Sequence, residues 1–431
     1  MTVADSKELQ DRLLAEIMDI VAVDVHSHVP HLEPVAGSLR ELLGYHYYTE
    51  LAHSAGMSET VIAPARPDEE MIPELLEAMG AIDNTVQHSW LMELARELFD
   101  FDGDAITPDN WEALDDAVRE AAGEPDRAAQ VMEKSRIEKV FLTNSFNDGL
   151  EEVNRDLFVP SLRADSLVFD LHKSEVQGAL ERASGVTLSG AESLRDAIRA
   201  VVEHFWAHGA LSAAISLPPG FRTYKVSDAD FDRAVQNALK GSPGEDREIL
   251  QSGVLFELCR CCREDAIPMQ IMYGVLRDAY RHGVPQGTDL PAAGDTLRGL
   301  LPLLNAFPEV TFCLSVLSDS QAQELAAYGW IVQNVVLSGH WWYLNVPAWI
   351  ERDLAARIQS VPKNKLIGYY SDMYKLEFGL AKFNMYRRAL ARVLARDFVQ
   401  AGHGTEADAV ELARMLLRDN ARSIFKLEEG A

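Results

Sequence analysis

Eight short runs of β-forming, mostly apolar residues recur along the chain, and longer stretches with helical periodicity separate them. This alternation is typical of parallel strands joined by crossover helices. Several runs carry apolar residues on both faces, as expected for a strand with a barrel interior on one side and helices on the other. The pattern therefore predicts an α/β protein with a (β/α)8 barrel, also called a TIM barrel. The predicted strands are residues 21–25 (VAVDV), 139–143 (KVFLT), 167–171 (LVFDL), 211–217 (LSAAISL), 268–273 (PMQIMY), 310–316 (VTFCLSV), 334–338 (NVVLS) and 366–370 (LIGYY).

The longest gap in this pattern lies between the first and second predicted strands. About a hundred residues separate them, and these residues carry amphipathic helical patterns without a convincing strand. We interpret residues 39–135 as a helical insertion that lies over the mouth of the barrel. No internal repeat or low-complexity tract interrupts the sequence, so residues 1–431 are predicted to form a single domain.

The net charge narrows the range of partners. There are 40 lysines and arginines against 67 aspartates and glutamates, which gives a formal charge of −27 at pH 7. Such a charge repels nucleic acids and anionic membrane surfaces, so we expect a small-molecule substrate and neither of these partners. Any site for an acidic substrate must then be built locally from arginines. No signal peptide or membrane span is recognisable, and the sequence predicts a soluble, cytoplasmic protein.

Two histidines follow the first predicted strand. His26 and His28 are two positions apart, so in an extended segment their side chains point the same way. Active sites of such barrels lie at the C-terminal ends of the strands. Asp372 follows the eighth predicted strand, which neighbours the first in a closed barrel; the alternative is that it only caps the next helix. We predict that the two histidines and Asp372 bind one divalent metal ion, zinc in the first place and manganese or a similar ion as the alternative.

Several short segments resemble, in the same order along the chain, the uronate isomerases, a divergent branch of the amidohydrolase superfamily. The His-x-His pair after the first strand and the aspartate after the eighth are similar to that family's pattern. Residues 44–47 (GYHY) resemble its His-Tyr pair, residues 159–165 (VPSLRAD) its Arg-Pro-Asp segment, and residues 339–343 (GHWWY) its Trp-Trp-Phe. The resemblance implies a TIM barrel that interconverts aldose and ketose sugar acids by metal-assisted proton transfer.

The resemblance also implies roles for individual residues. Asp372 would be both a metal ligand and a group that moves the proton between C2 and C1 of the open-chain sugar. Tyr47, with His46 beside it, would lie near substrate oxygens and relay a proton. Arg163 would bind a hydroxyl or the carboxylate of the substrate, and Trp341 would form a wall of the pocket.

Three places in the sequence depart from the family pattern. The fifth-strand segment Gln-Leu-His-Ile-Gly becomes residues 270–274 (QIMYG), so Met272 replaces a histidine. The family's Asp-His pair in the fourth strand falls on Ile215 and Ser216. Tyr374 stands where the family has an arginine after the eighth strand, so a phenol replaces a guanidinium that could bind the sugar carboxylate.

Other residues are candidates to compensate for these changes. We expect Tyr374 itself to contact the substrate. His340, at the end of the seventh predicted strand, is a candidate metal ligand, acid–base group or substrate contact. Arg277, Arg222 and Lys225 are candidate replacements for the missing guanidinium, although charges in loops and at helix starts are more often solvated.

Two functions remain open from the sequence. The first is isomerisation of a sugar acid or a related compound. The second is a metal-dependent hydrolase or decarboxylase acting on a less hydroxylated substrate, with Asp372 as the base. The family motifs favour the first, and the apolar changes in the fourth and fifth strands favour the second. A third possibility is a binding protein or an inactive relative, in which case the purified protein would carry no metal.

A homo-oligomer is compatible with the sequence, but no isolated apolar stripe indicates one.

Overall fold

The predicted barrel is present in the computed structural model, which describes residues 3–428. Eight strands follow one another around the barrel in chain order, and each strand from the first to the seventh pairs in parallel with the next. The fifth and sixth strands are buried at every position, which explains their apolar sequence. The strands are β1 (Ala22–Asp24), β2 (Ile137–Phe141, continued by Asn144–Ser145), β3 (Phe158–Val159 and Ser161–Arg163), β4 (Ser212–Leu217), β5 (Met269–Tyr273), β6 (Phe312–Val316), β7 (Val335–Ser338) and β8 (Leu366–Ile367).

The third predicted strand is wrong. Residues 167–171 lie mostly in the short helix Asp165–Phe169, and the true third strand precedes it. Pro160 divides that strand, since it cannot donate a backbone hydrogen bond. The first half pairs with β2 and the second half with β4. A short apolar run fits a buried helix as well as a strand, and the proline hid the real strand, so the sequence pattern favoured the wrong segment.

The barrel closes between β8 and β1 without a regular strand pair. The carboxylate of Asp24, the last residue of β1, accepts hydrogen bonds from the backbone nitrogen of Ser371 at 2.9 Å and from the Ser371 hydroxyl. The Asp372 nitrogen donates to the His26 carbonyl oxygen at 3.1 Å, and the His28 nitrogen donates to the Met373 carbonyl oxygen at 2.8 Å. These bonds bring the segment after β8 beside the segment after β1.

Helices occupy the intervals between the strands. Within residues 3–428, the interval between β1 and β2 contains helices and no strand. None of the helices in this part of the chain is both long and apolar enough to cross a membrane. The helices are α1 (Val3–Met18), α2 (Leu39–Leu43), α3 (His46–Ser54), α4 (Asp68–Met79), α5 (Val86–Phe99), α6 (Trp111–Ala122), α7 (Arg127–Ser135), α8 (Asp165–Phe169), α9 (Ser174–Ser184), α10 (Ala191–Ala207), α11 (Asp228–Leu239), α12 (Arg247–Asp265), α13 (Leu301–Ala306), α14 (Ala322–Ile331), α15 (Pro347–Ser360), α16 (Glu377–Val393), α17 (Glu406–Arg414) and α18 (Asn420–Phe425).

Helix α16 connects the barrel to the helical segment after β1. It packs against α1, α5, α7 and α15, and Arg387 within it is fully buried. The Arg387 guanidinium donates to the carbonyl oxygens of Ser135 at 3.2 Å, Ile20 at 3.1 Å and Arg136 at 3.0 Å. These carbonyls lie just before β1 and β2, so one side chain ties the starts of two strands to α16.

Replacing Arg387 with methionine is expected to lower the free energy of unfolding by about 3 kcal/mol, because three carbonyl oxygens lose a buried donor. Urea denaturation followed by circular dichroism measures the change. Arg388→Met is the matched control, since the neighbouring guanidinium pairs with Glu93 at a partly exposed site and such a pair contributes about 0.5 kcal/mol. Equal destabilisation by the two variants would contradict this role of Arg387.

Candidate metal centre and active-site cavity

A cavity of about 250 Å³ opens at the C-terminal ends of the barrel strands. Its position agrees with the usual location of active sites in this fold, and its size suits a small metabolite. The cavity brings together seven of the nine residues that the sequence singled out for the site, and it leaves out Tyr47 and His340. The lining residues are His26, His28, His46, Thr143, Arg163, Asp165, Ala214, Ser216, Met272, Arg277, Gln286, Asp289, Trp341, Trp342, Asp372 and Tyr374.

Two histidines and one aspartate meet at the floor of the cavity. The Nε2 atom of His26 lies 3.6 Å from Oδ1 of Asp372, and Nε2 of His28 lies 3.3 Å from the same oxygen. Both ring nitrogens of His26 and this carboxylate oxygen are buried without a hydrogen-bond partner among the residues described. Burial and the neighbouring His28 lower the pKa of His26 to about 3, so its ring is neutral at pH 7.

Thr143, just after β2, orients the ring of His28. Its hydroxyl donates to the Ser27 carbonyl oxygen at 2.8 Å, because a carbonyl can only accept. The same hydroxyl oxygen lies 2.7 Å from Nδ1 of His28 and therefore accepts the Nδ1 hydrogen. Nε2 is then the nitrogen of His28 that faces the Asp372 carboxylate. A metal ion bound by this nitrogen and the carboxylate oxygen would satisfy both groups.

Asp372 completes a ligand set that fits one divalent metal ion. Burial favours its neutral form, but the imidazoles of His28 and His26 and the ammonium of Lys382 together lower its pKa below the ordinary value. The carboxylate is thus charged at neutral pH. One atom from each of the three side chains lies within 4.8 Å of the others. Two imidazoles and one carboxylate, with the remaining positions open to the cavity, are the donors of a catalytic metal site.

His46 and Tyr47, at the start of α3, have different surroundings. His46 borders the cavity, and burial lowers its pKa to about 3, so the ring is neutral. Tyr47 is buried behind it, with its ring centroid 5.0 Å from that of Tyr45 and 5.8 Å from that of Trp90. Its hydroxyl has no hydrogen-bond partner among the residues described. Tyr47 does not line the cavity, because successive helical residues point in different directions, and its contact with the substrate stays a prediction.

His340 is also absent from the cavity lining. Gly339, immediately before it, has a positive φ of 53°. Its Nδ1 atom lies 3.3 Å from Oδ2 of Asp353, and its ring centroid is 6.1 Å from that of Tyr386 in α16. Arg357 pairs with the same aspartate at 2.7 Å. The histidine belongs to a buried polar cluster between α15 and α16, and its role as a metal ligand, acid–base group or substrate contact stays a prediction.

Three other predicted residues do line the cavity. Arg163, at the end of β3, is about two-fifths exposed and lies 3.4 Å from the Asp165 carboxylate. Trp341 is buried in the wall that follows β7. The ring centroid of Tyr374 lies 5.1 Å from that of His28, and burial raises the pKa of its hydroxyl. The phenol that replaces the family's arginine therefore stands directly beside the metal ligands.

The changes in β4 and β5 affect the cavity less than the sequence indicated. Neighbouring strand residues face opposite sides, and only Ser216 of the Ile215–Ser216 pair lines the cavity. Ile215 points away and is fully buried. Met272 does line the cavity, so one apolar side chain stands where the family has a histidine. The floor therefore has a hydroxyl on β4 and a thioether on β5 at two positions where the family has a histidine.

A second guanidinium reaches the cavity from the segment after β5. Arg277 follows the short antiparallel pair Val275–Leu276 with Leu290–Pro291. Its Nη1 atom donates to Oδ2 of Asp289 at 2.6 Å, and the Tyr343 hydroxyl donates to the Asp289 carbonyl oxygen at 2.6 Å. Of the three candidate replacements for the missing arginine, Arg277 alone borders this cavity; Arg222 and Lys225 line other clefts.

Thr143, Gln286, Asp289 and Trp342 also line the cavity, and the sequence did not identify them as site residues. The signal that could have found Thr143 is its place at the end of β2. Gln286 and Asp289 lie in a loop without a periodic pattern, and only folding brings that loop over the strand ends.

Comparison with known proteins gives the family. A sequence model of the glucuronate isomerase family matches residues 8–425. A uronate isomerase from Brucella canis is 24% identical to this chain over 459 aligned positions, which cover 98% of the chain and 97% of the relative. The structure of a uronate isomerase from Thermotoga maritima superposes with a TM-score of 0.89 at 20% identity and covers 97% of both chains. A glucuronate isomerase from Caulobacter crescentus gives 0.89 at 19% identity, over 100% of this chain and 96% of the other.

The structural likeness confirms the predicted TIM barrel. The family match spans nearly the whole chain and includes both histidines and the aspartate that meet in the cavity. It confirms the family that the sequence motifs indicated. The chain belongs to the glucuronate isomerase family, a branch of the amidohydrolase superfamily.

Proposed function

We propose that the protein interconverts the aldose and ketose forms of a sugar acid, with a uronate such as D-glucuronate as substrate. The observation that carries this proposal is the family match over residues 8–425, a span that contains the three candidate metal ligands. The hydrolase or decarboxylase alternative is not favoured, because the family and the relatives reported above are isomerases. The hydroxyl of Ser216 on the cavity floor is also in keeping with a hydroxylated substrate.

Asp372 is the group that we propose moves the proton. Its carboxylate is charged and borders the cavity, so it can take the proton from C2 of the open-chain sugar and return it at C1. Tyr374 keeps its proton because burial raises the pKa of its hydroxyl, and it donates a hydrogen bond to a sugar oxygen. His46 and Trp341 form the adjoining wall. A divalent ion held by the two histidines and Asp372 would polarise the sugar carbonyl.

Zinc is the first choice for this ion, and manganese or a similar ion is the alternative. Three protein ligands with open positions are typical of catalytic zinc sites. Imidazole and carboxylate ligands also suit other divalent first-row metals, so the donor set favours this class over calcium, which takes oxygen ligands.

The proposed activity predicts a ketose product. Metal-loaded protein is incubated with D-glucuronate and, separately, D-galacturonate in deuterated water, and the sugars are followed by NMR. We expect the ketose from at least one of them. Asp372→Asn removes the charged base and should lower kcat/KM by about a hundredfold to ten-thousandfold, with circular dichroism to check that the variant is folded. No ketose from either sugar would contradict the proposal.

The substrate carboxylate is proposed to bind between Arg163 and Arg277. Both guanidiniums border the cavity and both are partly exposed, so they can reach a ligand. Both also act on the Tyr374 hydroxyl, lowering its pKa slightly against the larger effect of burial. Arg277 therefore supplies, from the segment after β5, the positive charge that the family has at position 374.

Replacing Arg277 with methionine should lower kcat/KM for the uronate about tenfold to a hundredfold, because a charge-assisted hydrogen bond to the carboxylate is lost. Steady-state kinetics measure the effect, and we expect most of it in KM. Arg222→Met is the matched control, since this arginine lies in another cleft. An unchanged KM in Arg277→Met would exclude this residue from carboxylate binding.

Thr143 gives a test of the metal centre. Thr143→Val removes the acceptor that fixes the His28 ring, and we expect metal affinity to fall about tenfold to a hundredfold. Thr143→Ser keeps the hydroxyl and should bind metal nearly as the wild type does. Competition with a chelator measures the affinities, in a His204→Ala background because Glu151, His204 and His208 form a second, surface group of possible ligands. Equal affinity of the valine and serine variants would contradict the role of Thr143.

Three further predictions are kept as proposals. Residues 1–431 are proposed to act as one domain with residues 39–135 over the barrel mouth, and the position of His46 in the cavity wall supports this. Residues 1, 2 and 429–431 lie outside the described part of the chain.

A cytoplasmic location fits an enzyme that acts on a small-molecule substrate, and a homo-oligomer remains a prediction from the sequence.

A further inference from the structure

A lysine is buried close to the metal centre. Lys382 of α16 is fully buried, and its Nζ atom lies 5.0 Å from the ring centroids of Tyr45 and Tyr47 and 4.9 Å from that of Trp90. Its hydrogen-bond acceptor in the described chain is the Tyr45 hydroxyl, at 2.7 Å. A cation in such a position is expensive to desolvate, so its contact with Tyr45 requires an explanation.

The chemistry of the groups sets the direction of this contact. A carbonyl oxygen can only accept hydrogen bonds, so the Tyr45 hydroxyl donates to the backbone carbonyl oxygen of Asp372 at 2.8 Å. The proton of Tyr45 is thereby used, and its oxygen accepts from the Lys382 amine. The result is an ordered chain of two hydrogen bonds that runs from Lys382 through Tyr45 to Asp372.

The residue at the end of this chain has an uncommon backbone. Asp372 has a φ of 54°, in the left-handed region that residues with a side chain rarely adopt. Its nitrogen donates to the His26 carbonyl oxygen, and its carbonyl oxygen accepts from Tyr45. Both peptide groups beside its Cα atom are therefore held, in the conformation that directs its carboxylate toward His26 and His28.

We propose that Lys382 and Tyr45 form a positioning pair that holds Asp372 in its metal-binding conformation. Lys382 orients the Tyr45 hydroxyl, and Tyr45 holds the Asp372 backbone; neither side chain is a metal ligand. This inference rests on the metal site of the proposed function and adds two residues to it. It assigns a function to a buried charge that the proposed proton transfer does not use.

The test compares the effects of replacing Tyr45 and Tyr48, which are three positions apart in the sequence, with phenylalanine. Tyr45→Phe keeps the ring, which packs 4.5 Å from Phe378, and removes only the hydroxyl. Tyr48→Phe is the matched control, because Tyr48 is also fully buried and its hydroxyl has no hydrogen-bond partner among the residues described. Lys382→Met and the double variant with Tyr45→Phe complete a cycle. All variants also carry His204→Ala, which disrupts the surface group of Glu151, His204 and His208. The measured affinity is then that of the site formed by His26, His28 and Asp372.

The measurements are the dissociation constants for Zn²⁺ and Co²⁺, by chelator competition, and the visible absorption of the Co²⁺ form. We expect about tenfold to hundredfold weaker binding for Tyr45→Phe, the range found when groups that support metal ligands are removed. The Tyr48→Phe variant should bind within about twofold of the parent. The double variant should bind metal about as tightly as whichever single variant has the lower affinity. The reason is that both changes interrupt the same series of hydrogen bonds from Lys382 through Tyr45 to Asp372. The Co²⁺ spectrum should change for Tyr45→Phe and stay unchanged for Tyr48→Phe.

Wild-type affinity and an unchanged Co²⁺ spectrum in Tyr45→Phe would overturn the inference. If Lys382→Met does not fold, the two tyrosine variants still decide the question. Metal binding is measured without substrate, so a protein that binds metal but isomerises no sugar would contradict the proposed reaction and leave this inference intact. A parent protein that binds neither ion would contradict the proposed metal centre and this inference with it.

Discussion

The join between the first and the last barrel strands is the constraint on which the site depends. Asp24 and Ser371, 347 positions apart in the sequence, make the closest polar contact of this join. Burial raises the pKa of Asp24 to about 7, although the hydrogen bonds from Ser371 act in the opposite direction. The same join places His26 beside Asp372 through a backbone hydrogen bond. The same contacts therefore close the barrel and bring the candidate ligands together.

The ligands are held by groups that are not ligands themselves. Three electron-pair donors around one point repel one another in the absence of a cation, so their surroundings must fix them. Thr143 fixes the ring of His28 from β2. Asp372 has a left-handed backbone conformation, and hydrogen bonds to its nitrogen and from Tyr45 to its carbonyl oxygen hold it. Rigid strands and buried hydrogen bonds thus hold the three side chains in a defined geometry despite their mutual repulsion.

The cavity differs from the family pattern mainly in where its positive charge comes from. Tyr374 occupies the position of the family's arginine beside the metal ligands, and Arg277 reaches the same cavity from the segment after β5. Asp289 pairs with Arg277, and Tyr343 binds the Asp289 backbone, so this segment is tied to the wall after β7. Because the protein is strongly acidic overall, a local pair of guanidiniums is the means by which an anionic sugar can be attracted.

The sequence by itself determined the barrel, the family and the three residues that meet as candidate metal ligands. These features are local, since strand periodicity and the position of a residue at a strand end can be read within a few residues. The third strand was misassigned because Pro160 interrupts its pattern and the apolar run in α8 imitates a strand. Tertiary structure alone decided that Tyr47 and His340 do not line the cavity, that Arg277 does, and that Lys382 contacts Asp372 through Tyr45. Each of these depends on the direction of a side chain or on contacts between distant segments, and neither is encoded in local spacing.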